Sequence, residues 1–213
     1  MKKCIIFDMD GVLVNTEPLH FQLWQQVFQE KALLIDYEHY KGCTGSTKQY
    51  LFALIRDFYG VDFSHDPDIP KRFVQLKVAY LKEHGIPEIP GVPEVIQYLQ
   101  EGGYLLAVAS SSPQDMIEWF MEQLGIAPYF RILFSAERVK RPKPAPDVFL
   151  HVSERLGILP RDCIVVEDSH NGVRAARAAG MHCIGIQNPD SGEQDLTAAD
   201  RICSCFAELK NIL

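Results

Sequence analysis

The chain has 213 residues, enough for one large domain or for a domain with a sizeable insertion. Its hydrophobic fraction of 47% and charged fraction of 23% are those of an ordinary globular protein, so a packed core is expected. A net charge of −7 without a basic run argues against a nucleic-acid partner, and no apolar stretch approaches the roughly 18 residues that a membrane span needs.

The amino terminus and the cysteines indicate where the protein works. The first apolar run ends within a few residues at Asp8, which is too early for an export signal. Six cysteines without such a signal predict free thiols in a cytoplasmic protein, and those in strand-like runs are expected to be buried apolar groups. Cys203 and Cys205 have no second Cys or His pair at ligand spacing, so we do not expect a metal site there.

Short, continuous apolar runs predict strands that are buried on both faces. These runs are 4–7, 105–110, 131–136, 163–168 and 182–187, with a weaker sixth at 201–205. Helical patterns lie between most of them, at 92–101, 113–124, 146–156 and 173–179. Strands that alternate with helices predict an α/β fold with a doubly wound, Rossmann-like parallel sheet.

The segment 15–84 departs from this alternation because it contains no convincing strand. Apolar stripes at helical spacing, such as Phe73, Leu76 and Tyr80, predict helices instead. An all-helical block after the first strand predicts an inserted cap domain at 15–85, over a catalytic core formed by 1–14 and 86–213. The Pro- and Gly-rich stretch 85–94 marks the return to the sheet.

Polar residues stand at the ends of the predicted strands. In chain order they are Asp8 and Asp10 after the first strand, Ser110 at the end of the second, Lys143 after the third, and Glu167 and Asp168 at the end of the fourth. Taken singly, each has an ordinary explanation as a cap, a turn residue or a solvated lysine. Because a doubly wound sheet binds ligands beyond the carboxyl ends of its strands, the set together predicts one functional site.

The aspartates predict a metal ion. With a side-chain period of two, Asp8 and Asp10 can point the same way from the end of a strand. Their repulsion, added to that of Glu167 and Asp168, predicts a hard divalent cation, and Mg²⁺ is the default for a phosphate site. Gly11 would permit the tight turn that leaves the edge of the sheet.

The stretch "ASSSPQD" predicts the start of a helix, with Ser112 as N-cap and Pro113 at the first helical position. Ser110, just ahead of it, could bind an anion together with nearby backbone N–H groups. Lys143, between two prolines, is placed to offer its charge to a phosphate.

These residues closely resemble the haloacid dehalogenase-like superfamily of phosphohydrolases, which use an aspartate nucleophile. "DMDGVL" resembles the first motif of the superfamily, Ser110 in "VASSS" the second, Lys143 in "KPAPDVF" the third and "VEDSHNGVRAARAAGM" the fourth. The resemblance spans the whole chain and includes a helical cap. It is closest to the subgroup that holds sugar-phosphate phosphatases and β-phosphoglucomutase.

The resemblance implies a role for each acid. Asp8 would be the nucleophile that becomes an aspartyl phosphate, and Asp10 the acid and base that protonates the leaving oxygen and then deprotonates water. Mg²⁺ would be held by the carboxylates of Asp8 and Asp168 and by the backbone carbonyl of Asp10, with Glu167 supporting these ligands.

The phosphoryl oxygens would be held by Ser110 and Lys143. Phosphoryl transfer depends mainly on positioning and charge compensation, so a metal ion, a lysine and a hydroxyl around one nucleophile suffice.

Residues of the predicted cap bear on whether the enzyme is a mutase or a phosphatase. Thr16 and His20, in "NTEPLH", match positions that β-phosphoglucomutase uses to govern Asp10, and Lys41 with Gly42 matches its cap "KG". His20 could equally be an ordinary residue of a cap helix near the hinge. Lys41 and Lys48 are candidates for contact with the substrate.

Two positions favour a phosphatase over the mutase. Gly45 stands where the mutase pattern has an arginine for a distal phosphate, and Pro113–Gln114 stands where it has Lys-Asn. We therefore predict a Mg²⁺-dependent phosphatase for small phosphorylated metabolites, acting as a monomer or weak dimer, with β-phosphoglucomutase as the alternative. A receiver module that accepts phosphate without turnover is a third reading, which the cap and Asp10 disfavour.

Overall fold

A parallel sheet forms the centre of the computed structural model, which describes residues 4–213. Its strands are β1 (Cys4–Phe7), β2 (Leu105–Ser110), β3 (Phe130–Ser135), β4 (Cys163–Glu167), β5 (His182–Ile186) and β6 (Arg201–Cys203). They lie in the order β3-β2-β1-β4-β5-β6, and each neighbouring pair is parallel. The predicted doubly wound α/β fold is confirmed, although the last strand ends at Cys203, two residues earlier than predicted.

Helices cover the sheet and form the inserted block. Within the described residues they are α1 (Glu17–Gln29), α2 (Tyr37–Tyr40), α3 (Lys48–Tyr59), α4 (Asp68–His84), α5 (Val92–Glu101), α6 (Gln114–Gln123), α7 (Asp147–Leu156), α8 (His170–Ala178) and α9 (Leu209–Ile212). The predicted helix at 92–101 is confirmed to the residue. The last predicted helix begins at His170 rather than at 173, because the side chain of Ser169 accepts a hydrogen bond from the Gly172 N–H and caps it earlier.

The prediction that Ser112 caps a helix is wrong. α6 begins at Gln114, its preceding residue Pro113 makes no side-chain cap, and Ser112 Oγ donates instead to Asp10 Oδ2 at 2.6 Å. The hydroxyl thus lies at the edge of the sheet, where it donates a charge-assisted hydrogen bond to a carboxylate.

The two faces of the sheet pack against different helices because alternate residues of a strand point to opposite sides. In β1, Ile5 and Phe7 belong to the apolar cluster that contains the buried residues of α5 and α6. Cys4 and Ile6 belong to the cluster that contains those of α7 and α8. Both faces are buried, which explains the continuous apolar runs of the sequence.

In chain order, helices α1 to α4 follow β1 and precede the other strands of the sheet. They share an apolar cluster of their own, which includes Trp24, Phe28, Phe52 and Ile55, and Trp24 stacks on Phe73 of α4 with ring centroids 4.1 Å apart. The two connections between this block and the sheet run side by side, where the Asn15 N–H donates to the Pro87 carbonyl at 2.8 Å. The division into a cap at 15–85 and a core at 1–14 and 86–213 stays a prediction.

The order of the strands places the site. β1 lies between β2 and β4, whose carboxyl ends flank that of β1. The connection after β1 leads to α5 on one face of the sheet, and the connection after β4 leads to α8 on the other face. Such a switch point leaves a crevice beyond the strand ends. Among residues 4–213, no helix is both long enough and apolar enough to span a membrane.

The cysteines follow the sequence prediction. All six thiols are free, and the four in strand-like runs, Cys4, Cys163, Cys183 and Cys203, are buried. Cys205 is exposed.

Candidate active site

Asp8 lies directly beyond β1, the central strand. Its N–H donates to the Val166 carbonyl at 2.9 Å, which continues the pairing with β4 by one residue and places the side chain at the edge of the sheet. Lys143 Nζ donates to Asp8 Oδ1 at 2.8 Å and to Glu167 Oε1 at 2.6 Å. Burial, helped by the negative charge of Glu167 and opposed by Lys143, raises the pKa of Asp8 to about 8.

Lys143 reaches this position from the loop between β3 and α7 and is fully buried. Its third contact is with the carbonyl of Ala109, at 3.1 Å. Although burial opposes it, the charges of Asp8 and Glu167 raise the pKa of Lys143 above its ordinary value. The ammonium therefore stays charged beside Asp8, as a phosphate-binding group must.

Asp10 is surrounded by hydrogen-bond donors. Its Oδ1 accepts from Lys77 Nζ at 3.0 Å and from Thr16 Oγ1, and its Oδ2 accepts from Ser112 Oγ at 2.6 Å. Although burial opposes it, the charge of Lys77 holds the pKa of Asp10 well below its usual range. The side chain is thereby fixed in one orientation, turned toward the helical block.

Besides Ser112, Lys77 is a contact of Asp10 that was not predicted from the sequence. It lies on α4, is 2% exposed, and contacts His20 Nε2 at 2.7 Å as well as Asp10. A signal for it exists in the sequence, because Lys77 falls four residues after Phe73 and three before Tyr80, on the apolar face of the predicted helix. Lysine is rarely buried without a charged partner, so its place on that face predicts one.

His20 lies close to Asp10, with Nε2 3.3 Å from Asp10 Oδ1, while its Nδ1 faces Glu17 Oε1 at 3.6 Å. Lys77 Nζ lies 2.7 Å from His20 Nε2. Although burial and the charge of Lys77 oppose it, the carboxylates of Asp10 and Glu17 raise the pKa of His20. His20 therefore joins the group of residues that positions Asp10.

A second group of acids adjoins Asp8. Oxygen atoms of Asp8, Glu167 and Asp168 lie within 4.8 Å of one another. Asp168 accepts from Ser191 Oγ, and among residues 4–213 no lysine or arginine forms an ion pair with it. Burial, together with the negative charges of Glu17, Glu167 and Asp8, raises the pKa of Asp168 well above its usual range.

This donor set fits Mg²⁺, which prefers oxygen ligands. The oxygens of Glu167 are already engaged, Oε1 with Lys143 and Oε2 with the N–H groups of Asp168 and Ser169 and the Ser169 hydroxyl. The carboxylates of Asp8 and Asp168 are therefore the groups with capacity for an ion. A cation between them would compensate the charge that burial disfavours.

Gly11 makes room for this arrangement. Its φ is +81°, and a Cβ at this position would overlap the carboxylate of Asp168. The predicted turn after Asp10 therefore needs glycine both for its backbone conformation and for the close approach of Asp168.

Ser110 ends β2 beside these acids and is 1% exposed. Its Oγ accepts a hydrogen bond from the Ser112 N–H at 3.1 Å. The hydroxyl proton remains available to an anion, and Ser110 lines the same cavity as Asp8 and Asp10.

A cavity of about 480 Å³ lies between the edge of the sheet and the helical block. Asp8, Asp10 and Ser110 line it from the sheet, and Trp24 and Phe73 are among the residues that line it from the helices. Its volume suits a small, polar molecule with one face on the carboxylates and one against aromatic rings.

The two lysines predicted to contact the substrate lie in different places. Lys41 forms an ion pair with Glu38 at 2.6 Å and is not among the residues that line the cavity. Lys48 lines the cavity, and its Nζ lies 2.5 Å from Glu137 Oε1. A role of either lysine in binding stays a prediction.

Comparison with known proteins places these residues in a family. The family model for haloacid dehalogenase-like hydrolases matches residues 5–186. The chain is 32% identical to the fructose-1-phosphate phosphatase YqaB of Escherichia coli K12, over 86% of this chain and 95% of that protein. It is 31% identical to a phosphorylated carbohydrates phosphatase of Thermotoga maritima, over 85% and 83% of the two chains.

Solved structures agree with the sequence relatives. A mutant of CbbY from Rhodobacter sphaeroides, crystallised with xylulose-1,5-bisphosphate, superimposes with a TM-score of 0.86 at 28% identity and covers 98% of this chain and 96% of its own. The family match covers far more than half of the chain, including β1 to β5 and the helical block between β1 and α5. The chain therefore belongs to the haloacid dehalogenase-like hydrolase family and is a phosphatase of that family.

Proposed function

We propose that this enzyme is a Mg²⁺-dependent phosphatase that hydrolyses small phosphorylated metabolites, sugar phosphates above all, through a phosphorylated Asp8. The observation that carries the proposal is the pairing of Asp8 with Lys143 at the cavity, two residues from an Asp10 that three donors hold in place. The carbohydrate phosphatases among the relatives support the substrate class.

In the first step, a carboxylate oxygen of Asp8 attacks the phosphorus atom and the ester P–O bond breaks. Asp10, which its donors keep ionised in the free enzyme, takes up a proton with the substrate and gives it to the departing alcohol oxygen, so a neutral alcohol leaves. Lys143 and the hydroxyl of Ser110 offset the charge on the phosphoryl oxygens, which is the main requirement of phosphoryl transfer.

In the second step, Asp10, now a carboxylate, takes a proton from water as the water oxygen attacks phosphorus. The bond between Asp8 and phosphorus breaks, which frees inorganic phosphate and restores Asp8. Lys77 and Thr16 keep Asp10 in one orientation through both steps, so that the same carboxyl group serves as acid and then as base.

Asp8 and Asp168 would hold Mg²⁺ with their carboxylates, and Asp10 with its backbone carbonyl, while Glu167 supports them through its contacts with Lys143 and the Asp168 N–H. When bound, the ion supplies positive charge that favours ionised Asp8 and the negative phosphoryl group.

The cap would cover the substrate during the reaction. Ser111 Oγ donates to the Gly45 carbonyl at 2.9 Å, and Lys48 and Lys77 each form an ion pair across to the residues around the sheet edge, with Glu137 and Asp10. Exclusion of water strengthens the electrostatic interactions in the site and protects the phosphorylated Asp8 until the alcohol has left.

The mutase alternative has less support. A mutase must grip a bisphosphate at both ends, and Gly45 stands where the mutase pattern carries an arginine for the distal phosphate. The φ of Gly45 is +73°, and a Cβ there would overlap the side chain of Ser169. An arginine at position 45 would therefore displace the segment that contacts Ser111.

We also infer that the enzyme works in the cytoplasm on a small phosphorylated substrate. Its six free thiols, five of them buried, support a reducing compartment.

The test is phosphate release from p-nitrophenyl phosphate and from fructose 1-phosphate, with and without Mg²⁺, by the wild type and by Asp8→Asn. Asp57→Asn, an exposed aspartate on α3, is the matched control. We expect Mg²⁺-dependent turnover by the wild type and the control, and none by Asp8→Asn, because loss of the nucleophile removes the covalent route. Activity retained by Asp8→Asn would refute the proposal.

A further inference from the structure

Two hydroxyl side chains of the cap lack partners at the wall of the cavity. Ser46 and Thr47 line the cavity, and neither Ser46 Oγ nor Thr47 Oγ1 makes a hydrogen bond within the described residues. Both oxygens are buried, and Thr47 as a whole is 2% exposed. A buried hydroxyl without a partner is unfavourable, so the pair points to a ligand group that completes its hydrogen bonding.

Thr47 is free for this purpose although it stands at the start of a helix. It is the N-cap residue of α3, with φ −79° and ψ 164°, but its side chain makes no hydrogen bond to the first turn. Threonine in this backbone conformation normally caps the helix with its hydroxyl. The local structure therefore leaves the hydroxyl unused.

The segment just before these residues is held on the edge of the sheet. Asn171 Nδ2 donates to the carbonyls of Gly42 and Thr44, both at 3.1 Å, and Ser111 Oγ donates to that of Gly45 at 2.9 Å. These bonds fix the chain at its entry to α3, so Ser46 and Thr47 have a defined place on the cavity wall.

The two lysines among the described residues that line the cavity are already paired. Lys48 Nζ lies 2.5 Å from Glu137 Oε1, and Lys71, whose side chain is 68% exposed, lies 3.5 Å from Asp68. Asp115 adds a further carboxylate to the lining. A second phosphate would therefore compete with Glu137 for Lys48 and would face repulsion from Asp115, whereas an uncharged hydroxyl would not.

We propose that Ser46 and Thr47 determine specificity by receiving the uncharged, hydroxyl-rich end of a sugar or polyol monophosphate, and that the pairing of Lys48 with Glu137 disfavours a second phosphate at that end. The proposal rests on the proposed phosphatase function and narrows its substrate class. A cavity of about 480 Å³ has room for such a molecule.

The test compares three probes in the presence of Mg²⁺. Fructose 1-phosphate carries hydroxyls at the far end, fructose 1,6-bisphosphate carries a second phosphate there, and p-nitrophenyl phosphate carries neither. The variants are Ser46→Ala and Thr47→Val, and Thr197→Val, an exposed threonine outside the cavity, is the matched control. kcat and KM are measured for each pair of enzyme and probe.

We expect the wild type to prefer fructose 1-phosphate to the bisphosphate. Ser46→Ala and Thr47→Val each lower kcat/KM for fructose 1-phosphate about tenfold, the usual effect of one hydrogen bond to substrate, and leave p-nitrophenyl phosphate within about twofold. Unchanged turnover of fructose 1-phosphate, equal losses on both probes, or a preference for the bisphosphate would overturn the proposal.

A substitution expected to improve turnover of the bisphosphate tests the role of the ion pair independently. Glu137→Gln removes the carboxylate that occupies Lys48 and keeps the side-chain size, so we expect the ratio of bisphosphate to monophosphate kcat/KM to rise about tenfold. An unchanged ratio would contradict the role given to the ion pair.

These outcomes separate the two proposals. Turnover of p-nitrophenyl phosphate that depends on Asp8, with neither sugar phosphate hydrolysed, would refute the specificity proposal alone. Absence of Asp8-dependent turnover with all three probes would refute the phosphatase function, and the specificity proposal with it.

Discussion

Lys77 of the helical block donates a hydrogen bond at 3.0 Å to the carboxylate of Asp10 beyond the central strand, across 67 positions of sequence. The lysine side chain is 3% exposed and that of Asp10 9%, so the pair is held away from solvent. This contact joins the inserted block directly to the residue proposed as acid and base. The position of the cap and the state of Asp10 are therefore physically linked.

Replacement of Lys77 tests whether its hydrogen bond to Asp10 matters for turnover. We expect Lys77→Met, which keeps length and removes charge, to lower kcat/KM for p-nitrophenyl phosphate about 10²-fold, because Asp10 loses the donor that orients it. Lys82→Met, an exposed lysine on the same helix, is the control. Wild-type kinetics in Lys77→Met would show that Thr16 and Ser112 suffice to position Asp10.

Gly45 and Gly60 offer a matched pair for the role of the cap segment. Both have left-handed φ, +73° and +71°, but a Cβ at position 45 would overlap Ser169, whereas a Cβ at position 60 meets nothing within 4 Å. Gly60→Ala should cost about 1 kcal/mol of unfolding free energy from its backbone conformation alone. Gly45→Ala should also displace the segment from Ser111 and lower kcat/KM about tenfold or more.

Thermal unfolding and steady-state kinetics of the two alanine variants test this. Equal effects of both substitutions on kcat/KM would mean that the contact between Gly45 and Ser111 does not matter for activity.

Magnesium should stabilise the folded protein through Asp168. At a concentration of about 100 times its Kd, a ligand that binds only the folded state adds about 2.7 kcal/mol, which is a few degrees in Tm for a chain of this size. Asp168→Asn should lose this shift. Without metal it should be at least as stable as the wild type, because it removes a carboxyl group whose ionisation burial and the neighbouring acids disfavour.

Differential scanning calorimetry with EDTA and with Mg²⁺ measures both effects, and Asp57→Asn serves as the exposed control. A Mg²⁺-dependent rise in Tm that persists in Asp168→Asn would place the ion elsewhere.

Asp200 should make stability depend on acid pH. It accepts hydrogen bonds from the Cys183 N–H at 2.8 Å and from Arg177 at 2.5 Å. Although burial opposes them, these groups hold the pKa of Asp200 below its ordinary value of about 3.8. Because the folded-state pKa is lowered, the stabilisation is present above the unfolded-state value and is lost as pH falls through the folded-state value.

We therefore expect Asp200→Asn to cost about 1 kcal/mol at neutral pH, from the weakened charged contact. The difference from wild type should shrink as pH falls from 5 toward 3. Urea unfolding of both proteins across that range measures it, and a constant difference would exclude the ionised carboxylate as its source.

Local patterns in the sequence predict the order of strands and helices along the chain and the set of acids at the strand ends. Continuous apolar runs report burial on both faces of a sheet, and this signal is local, so it can be read without knowledge of the fold. Asp8 directly follows such a run, Ser110 and Asp168 end two others, and Lys143 lies in the loop after a fourth. The structure pairs β1 with β2 and β4, which brings Asp8 to Ser110 and Asp168.

Which cap residues contact the site depends on long-range packing, which the sequence does not show. Lys77 meets Asp10 because α4 packs against α1 and presents one of its faces to the sheet edge, and no spacing in the chain encodes that distance. Ser112 looked like a helix cap because its local sequence favours one, but a carboxylate 102 positions earlier takes its hydroxyl. When a polar side chain could bond to several groups, the fold decides which of them lies within hydrogen-bond distance.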